Sequence, residues 1–130
     1  MHGLHLTADL TDCPAMQPVM LDPAALRAAC TAAVHAAGLQ SVGELFHRFE
    51  AAPGAAADTP VGVTGVVLLA ESHLAVHTWP EIAAVTLDVY VCNLGTDNSA
   101  KAHALLESLV VAFAPGHIER HALMRGGVAA

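Results

Sequence analysis

The chain is 130 residues long, enough for one domain with a real core, and 55% of it is hydrophobic, much of that alanine. Only 13% is charged, which excludes a disordered polyelectrolyte. Twelve Asp and Glu against five Lys and Arg give a formal charge of −7, so no basic surface is available to neutralise nucleic-acid phosphates. A cationic small molecule is compatible with that balance.

The predicted elements run as follows. Gly3–Leu10 is a strand, closed by the turn residues Thr11, Asp12 and Pro14. Asp22-Pro23 places a cap and a first-turn proline before a helix whose apolar positions are Leu26, Ala29, Cys30, Ala33, Val34 and Ala37, and Gly38 stops it. Val42–Phe49 alternates as a strand. Glu50–Pro60 (EAAPGAAADTP) is a flexible surface loop. Three strands follow, Val61–Ala70, His73–Thr78 and Ala84–Val91. Asp97-Asn98-Ser99 caps a second helix with a stripe of Leu105, Leu106, Leu109, Val110 and Phe113; Gly116 ends it, and His117–Met124 is a closing strand.

Consecutive strands pair antiparallel, and two amphipathic helices need a sheet to cover. The expected fold is therefore α+β, a two-layer sandwich of one antiparallel sheet with two helices on one face, as a single domain over residues 1–130. Both sides of Val63–Ala70 are apolar, so the second sheet face should be buried in a partner and the protein should be a homo-oligomer. Three cysteines without C-x-x-C spacing, no charged or apolar leader at Met1–His5, and no run of about 18 apolar residues point to a reducing, cytoplasmic setting without a membrane span.

Reactive side chains are densest at Glu71-Ser72-His73-Leu74-Ala75-Val76-His77-Thr78-Trp79-Pro80-Glu81, with Cys92 on the next strand. A serine hydrolase lacks its G-x-S-x-G elbow here. A metal site on His73 and His77 lacks a completing Cys/His pair, and no metal is expected. Satisfied histidines and a core cysteine are the plain alternative. A third chemistry is self-modification. The Ser72 hydroxyl attacks the carbonyl before it, the resulting ester eliminates to dehydroalanine, and hydrolysis leaves a pyruvoyl group. Such a carbonyl forms a Schiff base and accepts electrons as carbon dioxide leaves. Spacing alone does not select among these.

The string LLAESHLAVHTWPE, preceded by Gly62-Val63-Thr64-Gly65 and followed by a strand ending in Cys92, resembles the bacterial S-adenosylmethionine decarboxylase family, the short pyruvoyl-dependent class. Gly3-x-His5-Leu6-x-Ala8-Asp9 and Phe46-His47-Arg48-Phe49 extend the likeness over most of residues 3–113. The resemblance implies cleavage between Glu71 and Ser72, with Ser72 becoming the covalent pyruvoyl cofactor. It assigns His77 as the proton acceptor of processing, Thr64 as its supporting hydroxyl where serine is usual, and Cys92 as the proton donor. It places Phe49, Leu74 and Glu81 at the substrate, Phe49 against adenine and Glu81 on the ribose hydroxyls. It also implies a homodimer of αβ protomers with sites at the interface, and a product that supplies aminopropyl groups for spermidine synthesis.

Departures lie at Leu4, where arginine is common, at Val89-Tyr90-Val91-Cys92-Asn93, and in the lengthened Glu50–Pro60 loop. They keep ornithine or arginine open as alternative substrates of the same cofactor, and a non-catalytic relative as a third reading. Asp88, in an apolar strand, should be either paired or at a subunit interface.

Overall fold

A computed structural model describes residues 2–127; Met1 and residues 128–130, the ends of the expected domain, lie outside them. The elements are β1 (Gly3–Thr11), α1 (Pro18–Leu21), α2 (Pro23–Ala36), β2 (Ser41–Arg48), β3 (Val63–Leu69), β4 (Ser72–Trp79), a 3-10 turn (Pro80–Ile82), β5 (Ala84–Cys92), α3 (Ser99–Phe113) and β6 (His117–Arg125). The six strands form one antiparallel sheet in the order β2-β3-β4-β5-β1-β6. β2 to β5 are a meander, with short connections between β3, β4 and β5 and the longer 49–62 segment between β2 and β3. The α+β two-layer expectation holds, with the short α1 added to the two helices.

Alternation along each strand decides the layers. Leu4, Leu6, Ala8 and Leu10 of β1, Leu74 and Val76 of β4, and Val85, Leu87, Val89 and Val91 of β5 are buried beneath the helices. They meet Leu26, Cys30 and Val34 of α2 and Leu105, Leu106, Leu109 and Phe113 of α3. Each fully buried side chain of this size contributes about 1.5–3 kcal/mol. Gly65 belongs to this layer because the Phe46 ring of β2 lies where its Cβ would be.

Helix boundaries follow local chemistry. Asp22 accepts from the Ala24 amide at 3.0 Å, Pro23 occupies the first turn, and Gly38 turns left-handed (φ 81°) beyond α2. α3 is a correction: Ala114 (φ 50°), not Gly116, takes its left-handed cap. Gly116 serves a different contact, packing on Asp12 and donating to the Thr11 and Asp12 carbonyls. At its start, Asp97 rather than Asn98 supplies the cap, accepting from the Ser99 amide at 2.9 Å.

The second face of the sheet carries Leu45, Thr64, Val66, Leu68, His73, Ala75, His77, Trp79, Asp88, Tyr90 and His5, and among the described residues no helix covers it. Leu45 and Leu68 are among the exposed large hydrophobics.

Candidate active site

The hairpin joining β3 to β4 has Leu69 paired with Ser72, leaving Ala70 and Glu71 as its two-residue turn. Glu71 sits in the left-handed region at φ 56°, a conformation a β-carbon makes unfavourable, immediately before the Glu71–Ser72 bond. The Ser72 Oγ accepts the Cys92 amide at 3.1 Å, so the end of β5 lies against the serine. Cys92 is 8% exposed and outside the helix-side core. Its carbonyl accepts from Asn98 Nδ2 at 2.9 Å, while Asn93 accepts from the Asn98 amide at 2.7 Å and donates to Ser99 Oγ at 3.0 Å. This net fixes Cys92 from both sides. The departure at Asn93 is thus a structural one, building the turn into α3.

A second cluster occupies the other end of β4. Thr64 and His77 are register partners on the uncovered face, with Thr64 Oγ1 and His77 Nδ1 3.0 Å apart, and the His77 ring lies over Trp79 at 5.9 Å. Just beyond, Phe49 and Glu81 line one cavity of about 250 Å3 together with Gly62 and residues of the 50–60 loop. Phe49, 37% exposed, is therefore a wall and not a core residue. Glu81, exposed on the 3-10 turn, lines the same space. An aromatic plane and an acceptor that can take two hydroxyls suit a base and its sugar.

Among the described residues, the structure pairs Ser72 with Cys92 and groups Thr64, His77, Phe49 and Glu81. It does not bring these two groups together. Ser72 and His77 are five residues apart on one strand, roughly 16 Å, and their side chains alternate to opposite faces.

Residues 4–126 match the family described as S-adenosylmethionine decarboxylase. The chain belongs to that family. An S-adenosylmethionine decarboxylase proenzyme of Hydrogenobaculum sp. is 32% identical over 125 residues, 95% of this chain and 81% of that protein. One from Prochlorococcus marinus is 41% identical over 92 residues, 71% of this chain and 65% of its own. The crystal structure of the adenosylmethionine decarboxylase from Aquifex aeolicus superposes with a TM-score of 0.81 at 31% identity, covering 98% of this chain and 92% of that one.

Within this family setting, residue 72 fits a serine-derived pyruvoyl group: a hydroxyl at a strained turn follows the carbonyl it would attack. Leu74 pairs with Val67 and Val89 in the sheet, and its side chain is buried on the helix side. His73 joins an aromatic group with His5 and Tyr90, and Asp88 is paired with His5 on the uncovered face. Arg125 stacks over Tyr90 at 5.1 Å. Among the described residues, the one group of side chains close enough to hold an ion is the exposed Asp9, Glu119 and His121, which includes neither His73 nor His77.

One supporting residue was not singled out by the sequence reading. Thr78, the buried polar residue of β4, accepts from the Val63 amide at 2.8 Å and donates to the Met20 carbonyl at 2.9 Å. It thereby fixes the strand that carries Thr64. A hydroxyl at an inward position of an apolar strand was the available signal.

Proposed function

We propose that the protein is a self-processing, pyruvoyl-dependent decarboxylase of S-adenosylmethionine whose site is shared between two copies of the chain. The observation that carries the reading is Ser72, held by the Cys92 amide directly after the left-handed Glu71. Its Oγ attacks the Glu71 carbonyl carbon, exchanging the amide for an ester and relieving the strained turn. A neutral His77 imidazole, oriented through Nδ1 by Thr64, takes the Cα proton of residue 72. Glu71 leaves as a carboxylate, and the dehydroalanine so formed takes up water and releases ammonia.

The resulting ketone supplies an electron sink for the amine of a substrate. Cys92 holds on Sγ the proton that the substrate carbon takes when carbon dioxide departs. Phe49 and Glu81 position the nucleoside end, and this pair favours S-adenosylmethionine, whose base and ribose diol engage the ring and the carboxylate together.

The roughly 16 Å between Ser72 and His77 in one chain explains why a second copy is needed. Two uncovered faces packed together exclude water from Leu45, Val66, Leu68 and Trp79. A twofold axis near Ala75, midway along β4, interchanges the Ser72 end of one chain with the Thr64–His77 end of the other.

The test is a reductive trap read by intact mass. Purified protein is mixed with cyanoborohydride and equal amounts of S-adenosylmethionine, ornithine and arginine. The fragment beginning at residue 72 should gain the mass of S-adenosylmethionine or its decarboxylated form. Gain of a basic amino acid or its amine contradicts the substrate, and an uncleaved chain without adduct contradicts the enzyme.

A further inference from the structure

The 50–60 loop has a definite shape and place. The Phe49 amide bonds the Gly62 carbonyl at 2.9 Å and closes its base. Inside it, Ala55 bonds back to Ala52 and Thr59 to Ala56, each at 3.0 Å, and Gly54 turns left-handed at φ 83°. These turns set Ala51, Ala52, Ala55, Thr59 and Pro60 against the same cavity that Phe49 and Glu81 line. The loop thus makes more than half of the wall, and apart from Glu50 it offers only alanine, threonine and proline side chains. At about 250 Å3 the space lies just below the roughly 300–1,000 Å3 of whole small-molecule sites, room for a base and sugar and little more. Its charged lining residues are Glu50 and Glu81, both acidic, with no cation among the residues that line it.

We propose that residues 50–60 are a specificity-determining wall of the substrate cavity, selecting a nucleoside and rejecting a nucleotide. The proposal rests on reading the Phe49–Glu81 cavity as the nucleoside end of the site. The alanine and proline surface covers the second side of the base, which removes apolar ring area from water. The two carboxylates accept sugar hydroxyls and repel a phosphate placed where the 5′ substituent leaves the sugar. Self-cleavage does not use this wall, because Thr64 and His77 lie outside it.

The experiment is calorimetric binding of 5′-methylthioadenosine and of adenosine monophosphate to the processed protein, alongside decarboxylation kinetics. Two variants are compared with the parent, Ala55→Phe, which fills the cavity from an exposed loop position, and a chain in which residues 51–58 give way to Gly-Gly. Complete self-cleavage in each variant shows that it is folded. The parent should bind methylthioadenosine at least about tenfold more tightly than the monophosphate. Both variants should lose about tenfold or more in methylthioadenosine affinity, with a matching rise in KM and kcat within about twofold. If Ala55→Phe binds the thionucleoside as the parent does, the wall has no such role; this variant decides the question should the shortened loop misfold. Equal binding of the monophosphate overturns the nucleotide rejection. A parent that binds no nucleoside yet decarboxylates ornithine or arginine overturns the underlying reading instead, and the two failures are told apart by the parent alone.

Discussion

At the scale of single residues, processing and turnover separate. In the proposed mechanism Ser72 and His77 act before any substrate binds, whereas Cys92 acts only when carbon dioxide leaves. Replacing Cys92 with alanine should therefore leave self-cleavage complete while lowering kcat by about 10²–10⁴, the usual worth of one positioned proton donor. Intact mass and carbon dioxide release measure the two effects on one sample. A variant that fails to cleave would move Cys92 into the processing step. Thr78 illustrates a residue that acts through others. In Thr78→Val the Val63 amide and the Met20 carbonyl lose their partner, which should cost about 1–3 kcal/mol in urea unfolding. An unchanged midpoint would mean that water replaces the hydroxyl.

At the scale of elements, α2 and β2 make a testable pair. Cys30 on α2 is fully buried, and its thiol is pushed up from 9.0 to about 12, first by burial and second by the Glu44 carboxylate on β2. The folded chain therefore keeps a proton that the unfolded chain gives up. The associated stability is present below about pH 9 and is lost as pH rises from about 9 to about 12. Urea midpoints should fall more steeply over that window in the parent than in Cys30→Ala; parallel curves would contradict the assignment.

The elements also show what the sequence could reveal. Asp22-Pro23 and Gly38 are side-chain and backbone devices that act locally, so both ends of α2 were readable. α1 is four residues long with one proline, too short for any periodicity, and went unread. Ala114 went unread for a related reason, since nothing in an alanine announces a left-handed cap while Gly116 two residues later does. The inward direction of the Leu74 side chain was not readable from the motif, which records which residues recur and not which way a strand turns them. Phe49 and Glu81 were recognised through resemblance, but their shared cavity depends on β2 and β4 flanking β3, and no local pattern contains that order. The apolar character of both sides of β3 was readable, and it foretold the uncovered face that the helices leave.

At the scale of the whole molecule, that face and the distance along β4 lead to one conclusion. A single chain holds a serine next to Cys92 at one end and a base with its hydroxyl partner at the other, and strand geometry keeps them apart. On the proposed reading, function then needs two copies, with each site drawing residues from both. At the edge strand β6, Arg120 forms a two-pronged pair with Glu107 of α3 at 2.9 Å, which holds the edge to its own helix.

The most direct test is complementation between two inactive chains. Ser72→Ala and His77→Ala versions, distinguishable by mass, are expressed separately and then together. Alone, neither should be cleaved. Together, the His77→Ala chain should be cleaved at Glu71–Ser72, because its intact serine meets the intact histidine of the other copy, and the Ser72→Ala chain should stay whole. If the His77→Ala chain remains uncleaved in a verified mixed dimer, or is cleaved by itself, the shared site is contradicted.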